Sequence, residues 1–221
     1  MRITRLLVAV AAIALSPSLF AASYQDLRAR VPAVDEAVGA LPSSSFHGVM
    51  HRIDSALSQP RVAALGPGEY LSIPETSSNR LMSAFEDLER VLDGGLAATS
   101  VQERFVLAQA VEIVGMRRLT ALYQGFPSPG GVIIVACSDE YRWGSECHSR
   151  AQKSADYVAD LLERSIRDGF DQWALDHPGS GPFVLPDASR GAVSSTNLGD
   201  WLRDVAQSPA GRALGVESID N

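Results

Sequence analysis

The sequence predicts a mainly α-helical fold, a bundle of five to six helices with at most a small two-stranded β element. In six stretches of the chain, apolar residues recur every three or four positions, the period of an amphipathic helix. The stretches are separated by breaks rich in Gly, Pro and Ser, which end helices and form loops. The best candidate strand is residues 132–136, a short run of apolar and mostly β-branched residues.

The first half of the chain accounts for most of the predicted bundle. A polar lead-in over residues 24–30 is followed by Pro32, a residue that favours the first turn of a helix. Ser100 and Glu103 have the spacing of a capping box and open the most apolar helix, which we predict to be the centre of the bundle. The predicted helices of this half cover residues 32–41, 46–58, 78–93 and 101–124.

The second half is predicted to hold the longest helix and a final short one. Residues 149–176 form the long helix, for which Ser149 and Gln152 have capping-box spacing, and residues 197–207 form the last. Between them lies a Gly/Pro/Ser-rich connector in which residues 183–185 are a candidate second strand.

The chain begins like a secretory signal peptide. Arg2 and Arg5 precede ten unbroken apolar residues, 6–15, and then small residues up to Ala22. That run is shorter than the roughly 20 apolar residues of a transmembrane helix. We therefore predict a signal peptide over 1–22, one helical domain over 23–215, a flexible tail over 216–221, and a periplasmic or secreted protein. Retention of residues 1–22 as an anchor remains the alternative.

The charge of the chain excludes some classes of partner. Its formal net charge is −7, and removal of residues 1–22, which carry two arginines and no acid, makes it −9. Nucleic-acid binding depends on Lys and Arg that neutralise phosphates, so an acidic chain is a poor candidate for it. We predict no nucleic-acid partner and no membrane span after signal removal.

Cys137 and Cys147 are the two cysteines of the chain. Export places them in an oxidising compartment, where disulfides persist. Their spacing is too wide for the CxxC motif of an oxidoreductase, and a second ligand pair for zinc is missing. We predict a structural disulfide that ties the end of the strand to the start of the longest helix.

Glu112 is the most unusual residue of the predicted central helix. At 100° per residue it is centred on an apolar stripe, so it must be paired, be protonated or line a cleft. In a cleft it would suit a general acid, and in the core it would form a structural ion pair. The stretch from Ala110 to Glu112 resembles the catalytic-glutamate helix of lysozyme-like transglycosylases, but Ile113 replaces the serine expected there, and we assign no family from it.

Two further groups are weaker candidates. His47 and His51 share a helical face at a spacing compatible with a metal, or they are boundary residues of an amphipathic helix. Tyr141, Arg142 and Trp143 lie between the cysteines and form a candidate recognition surface, because these residue types often anchor interfaces; alternatively, Trp143 packs on the long helix.

The sequence contains no catalytic motif specific enough to name an activity. The leading hypothesis is an exported, non-enzymatic interaction protein of the cell envelope, an inhibitor, immunity-like protein or accessory factor, that needs no cofactor and binds another envelope or secreted protein. One alternative is a small envelope hydrolase acting on cell-wall glycan, with Glu112 as general acid. The other is a periplasmic metal-binding protein that uses His47 and His51.

Overall fold

The computed structural model describes residues 23–42, 44–58, 71–72, 75–124, 127–128, 131–132, 135–136, 146–180, 183–188 and 191–219. This part of the chain is mainly helical, as predicted. A π-helical turn, Glu112–Met116, joins α5 to α6, and a 3₁₀ turn, Leu96–Ala98, follows α4. The α-helices are α1 (Tyr24–Arg30), α2 (Pro32–Ala40), α3 (Ser45–Ser58), α4 (Glu75–Gly95), α5 (Val101–Val111), α6 (Arg117–Gln124), α7 (Glu146–Asp176), α8 (Leu198–Gln207) and α9 (Pro209–Leu214).

The predicted number of helices was too low. With α5, the π turn and α6 counted as one, the described residues form eight helices rather than five or six. The additional helices are short: α1 has seven residues, in the stretch that the sequence presents as a polar lead-in, and α9 has six and is opened by Pro209 in the first turn, where proline is tolerated. Helices of seven or six residues are too short to show a strong apolar period.

The β structure consists of two very small pairs rather than one. β1 (Leu71–Ser72) runs parallel to β4 (Val135–Ala136), and β2 (Pro127–Ser128) runs antiparallel to β3 (Gly131–Val132). The end of the predicted strand 132–136 therefore pairs with the segment before α4.

Residues 183–185 form no strand, contrary to the prediction. Phe183 instead packs against Phe170 of α7, with ring centroids 5.9 Å apart. The Pro186 carbonyl next to this segment accepts hydrogen bonds from Trp201 Nε1 at 3.0 Å and from Arg167 Nη2 at 3.3 Å. The segment is thus held by side chains of α7 and α8.

The central position predicted for residues 101–124 is confirmed. α5 packs against α2, α7 and α8, and the π turn packs against α3 and α8. Ser100 and Glu103 form the predicted capping box. The largest side chains of the surrounding core are Trp201, Tyr24, Phe46, Phe85, Phe105 and Phe170.

The two ends of the predicted domain differ in what the structure describes. The predicted signal peptide, residues 1–22, lies outside the described residues. At the other end, Val216 is buried, and Gln109 hydrogen-bonds the backbone of Glu217 and Ile219. Among the helices that the structure describes, none is both long enough and apolar enough to cross a membrane.

Candidate functional site

Glu112 lies inside the core, as its helical position predicts, and is 8% exposed. Both of its carboxylate oxygens accept hydrogen bonds from Arg117: Nε donates to Oε1 at 3.0 Å and Nη2 donates to Oε2 at 2.6 Å. This two-point geometry is the strong form of a carboxylate–guanidinium pair. Of the two interpretations open from sequence, the structure shows the paired one.

The π turn brings these two residues together. The Arg117 backbone N–H donates to the Glu112 carbonyl, a bond that spans five residues rather than the four of an α-helix. Two residues that are five positions apart therefore lie on the same side of the helix. Glu112 begins this wider turn, and Arg117 ends it.

The site has almost no free volume. A β-carbon at position 199 would lie only 2.5 Å from Glu112 Oε1, so Gly199 of α8 lets that helix pack directly on the carboxylate. The cavity that remains is about 10 Å³, space for about one water molecule. Its walls include Gln109, Ile113, Leu202, Arg203 and Ser218.

The chain end closes the same region. Gln109 is 5% exposed; its Nε2 donates to the Glu217 carbonyl at 3.0 Å, and its Oε1 accepts from the Ile219 N–H at 2.7 Å. The side-chain amide therefore substitutes for a β partner and holds the segment that carries Ser218 over the cavity. Within the described part of the chain, Glu112 therefore adjoins a nearly closed cavity of about 10 Å³.

His47 and His51 share one face of α3, as predicted, and pack against α1. Their ring centroids are 4.4 Å apart, and each lies within 5.4 Å of the Tyr24 ring centroid. Arg28 Nη1 lies 2.8 Å from His47 Nδ1 and also pairs with Asp35 of α2. Arg28 Nη1 also lies 3.4 Å from His47 Nε2, so a guanidinium cation lies against the ring through which His47 would bind a metal.

We expect the purified protein to contain no stoichiometric zinc or copper. A metal ion at His47 Nδ1 would have to displace Arg28, and the described residues contain no group of three or more His, Cys, Asp or Glu arranged for a metal ion. Elemental analysis of protein purified without chelators checks this. About one metal per chain that is lost in His47→Ala would contradict it and favour the metal-binding alternative.

An open groove lies between α3 and α4, where sequence analysis predicted no site. It encloses about 470 Å³, within the range of about 300–1,000 Å³ typical of ligand pockets. Its lining residues follow one face of each helix: Ser45, Val49 and Arg52 on α3, and Asp87, Arg90, Val91, Gly94 and Gly95 on α4, with Pro42 at the end.

The groove combines an apolar floor with an unequal set of charges. Val49 is buried and Val91 is half-buried. Among the described residues of the lining, Asp87 is the one carboxylate, and it accepts hydrogen bonds from both Arg52, at 2.6 Å, and Arg90. With two guanidinium groups and one carboxylate, this described lining has one excess positive charge on a chain whose net charge is −7.

Most of the remaining sequence candidates, Tyr141, Arg142, Trp143 and Cys137, lie outside the described residues. Cys147 is the second residue of α7, which begins at Glu146 rather than at the predicted Ser149. The predicted cap partner Gln152 instead hydrogen-bonds Asp156 at 3.1 Å. The disulfide and the aromatic recognition surface therefore stay predictions.

Comparison with known proteins gives no match: neither a family model, nor a curated protein, nor a solved structure is similar to this chain.

Proposed function

We propose that this chain is an exported, non-enzymatic interaction protein of the cell envelope that binds a segment of a partner protein in the α3–α4 groove. The signal peptide predicted for residues 1–22, the acidic composition and the groove support this proposal together. The groove is the observation that carries it.

The chemistry of the groove defines the partner segment. Val49 and Val91 offer apolar contact, which favours an aliphatic or aromatic side chain. Arg52 and Arg90 are 55% and 74% exposed and share one carboxylate, so each keeps donors available to a further acceptor. We propose a segment with an apolar residue next to an Asp or Glu.

The glycan-hydrolase alternative has less support. A general acid must reach the oxygen of the bond it cleaves, yet Glu112 is held by Arg117 and adjoins a cavity of about 10 Å³. That volume holds about one water molecule and is too small for a sugar ring. The metal-binding alternative is disfavoured by Arg28, which lies against His47.

Val91→Glu is expected to weaken partner binding at least about tenfold, which corresponds to about 1.4 kcal/mol. The new carboxylate would fill the groove and neutralise its excess positive charge, while the half-buried position avoids a large loss of core packing. Leu175→Glu is the matched control, because Leu175 is 75% exposed near the end of α7 and does not line the groove.

The measurement has two steps. The wild-type chain is first used as bait in an envelope extract, and a captured protein is identified and purified; the affinity of that protein for the wild type and both variants is then measured. Loss in Val91→Glu alone supports the groove. Equal affinity for all three places binding elsewhere, and digestion of cell-wall glycan by the wild type would overturn the non-enzymatic function.

A further inference from the structure

The contact between α1 and α3 includes a cluster of three aromatic rings. Tyr24 is fully buried at the start of α1, and its ring lies 5.4 Å from the His47 ring and 5.3 Å from the His51 ring. The Tyr24 hydroxyl is buried without a hydrogen-bond partner among the described residues, and the Tyr24 backbone N–H donates to Asp54 Oδ2 at 3.2 Å. Both imidazole rings therefore take part in the contact that attaches α1 to α3.

Arg28 holds a cation against the His47 ring. Its Nη1 lies 2.8 Å from His47 Nδ1 and 3.4 Å from His47 Nε2. A guanidinium group has only donors, so a hydrogen bond between the two side chains needs an unprotonated ring nitrogen as acceptor, which a neutral imidazole has and an imidazolium lacks. Protonation of His47 would therefore remove the acceptor and bring two cations into contact.

We propose that the α1–α3 contact is an acid-sensitive clasp: protonation of His47 breaks its hydrogen bond with Arg28 and releases α1 from α3. The clasp consists of Tyr24 and Arg28 on α1 and of His47 and His51 on α3. It is a property of the fold that does not depend on the groove having a ligand.

The charges around the clasp do not compensate for a new cation. Asp35 of α2 is the acidic group nearest Arg28 and already pairs with it, and its side chain is 50% exposed to screening solvent. Asp54, further along α3, is paired with Arg118 of α6. On the α4 side of α3, Asp87 is paired with Arg52 and Arg90.

The direction of the effect follows from linkage. Desolvation, Arg28 and the neighbouring His51 lower the pKa of His47 below its usual value, and Asp35 only partly opposes them. Released His47 binds protons more readily than docked His47, so docking is complete above about pH 6.5 and weakens as the pH falls toward the lowered pKa. Burial raises the pKa of Tyr24 to about 12, so its phenol stays neutral throughout this range.

Release of α1 at low pH would also affect the α3–α4 groove. α2 continues through Leu41 to Pro42, and Pro42 is part of the groove lining. This consequence rests on the proposed function, whereas the clasp itself is tested without any ligand.

Amide hydrogen exchange of the whole chain tests the clasp. Between about pH 7.5 and about pH 5, protection of the α1 amides, corrected for the intrinsic pH dependence of exchange, should fall at least about threefold, while that of the middle of α7 is unchanged. His47→Gln keeps an acceptor for Arg28 but cannot be protonated, so this fall should disappear. His177→Gln is the control, because His177 is exposed at the end of α7 and stacks on Trp173.

A second measurement does not depend on the folding of His47→Gln. The His47 ring titration, followed by NMR in the wild type and in Arg28→Met, should move to higher pH when the facing cation is removed. Protection of α1 that is independent of pH in the wild type would overturn the proposal. So would an identical fall in wild type and His47→Gln, or an unchanged His47 titration in Arg28→Met.

Discussion

Glu112→Gln is expected to lower the free energy of unfolding by about 2–3 kcal/mol. The amide replaces one of the two oxygens that accept from Arg117 with an N–H₂ group, which would face another donor. The Glu112 side chain is 10% exposed and cannot turn to water, but Arg117 is 42% exposed and can. We therefore expect less than the loss of about 3–5 kcal/mol that follows the breaking of a fully buried pair.

Asp200→Asn provides the matched control for this prediction. Asp200 also pairs with an arginine, Arg203, but the two side chains are 68% and 49% exposed. Loss of the Asp200–Arg203 ion pair should lower the free energy of unfolding by no more than about 1 kcal/mol, because solvent screens exposed pairs. Thermal or urea melts of the two variants beside the wild type give the comparison.

The same Glu112 variant separates a structural from a catalytic role. Charged catalytic residues often contribute nothing to stability or lower it. If Glu112 were a general acid, the Glu112→Gln variant would therefore be at least as stable as the wild type. A fully folded variant that loses a glycan-digesting activity present in the wild type would contradict the structural role. Destabilisation without any digestion by the wild type would agree with it.

The burial of Glu112 was predictable from sequence, but its partner was not. The apolar stripe around position 112 follows the α-helical period, and the side chain lies in the core as that period requires. In an α-helix, the side chains of residues 112 and 117 would point about 140° apart, so a helical wheel places them on different faces. The π turn reduces this angle, and the local residue types do not predict a π turn. Gly199 was equally hidden, because its closeness to Glu112 comes from the packing of α8 on the π turn.

The histidine pair shows the same division between local and tertiary information. The spacing of His47 and His51 placed them on one face of α3, which the structure confirms. The residues that define their chemistry, Tyr24 and Arg28, come from α1, which the sequence presented only as a polar lead-in. The groove was missed for a related reason: its lining comes from two helices, α3 and α4, and a space between two helices leaves no periodic signal in either.

Pairing of the short strands was also beyond local patterns. The apolar composition of residues 132–136 indicated a strand, and β3 and β4 lie at its two ends. Its parallel partner, Leu71–Ser72, is more than 60 residues away and has just two residues in the ladder. Such a pair is set by the packing of the surrounding helices rather than by strand propensity, which explains why residues 183–185 looked equally suitable.

Replacing Cys137 and Cys147 together with serine is expected to lower the free energy of unfolding by about 2–4 kcal/mol. The bond would close a loop of eleven residues between β4, which ends at Ala136, and α7, which begins at Glu146. Closing that loop removes conformational freedom from the unfolded chain, so the folded state gains relative stability. The prediction depends on export, since disulfides persist in an oxidising compartment.

Reduction of the wild type is the internal control for this double variant. A reductant should lower the stability of the wild type to about that of Cys137→Ser/Cys147→Ser and should leave the variant unchanged, because only a disulfide responds to it. Mass spectrometry of thiol-alkylated protein from the periplasm measures the bond directly. Two alkylated thiols in that sample, or a wild type whose melting is insensitive to reductant, would contradict the disulfide and weaken the argument that this chain is exported.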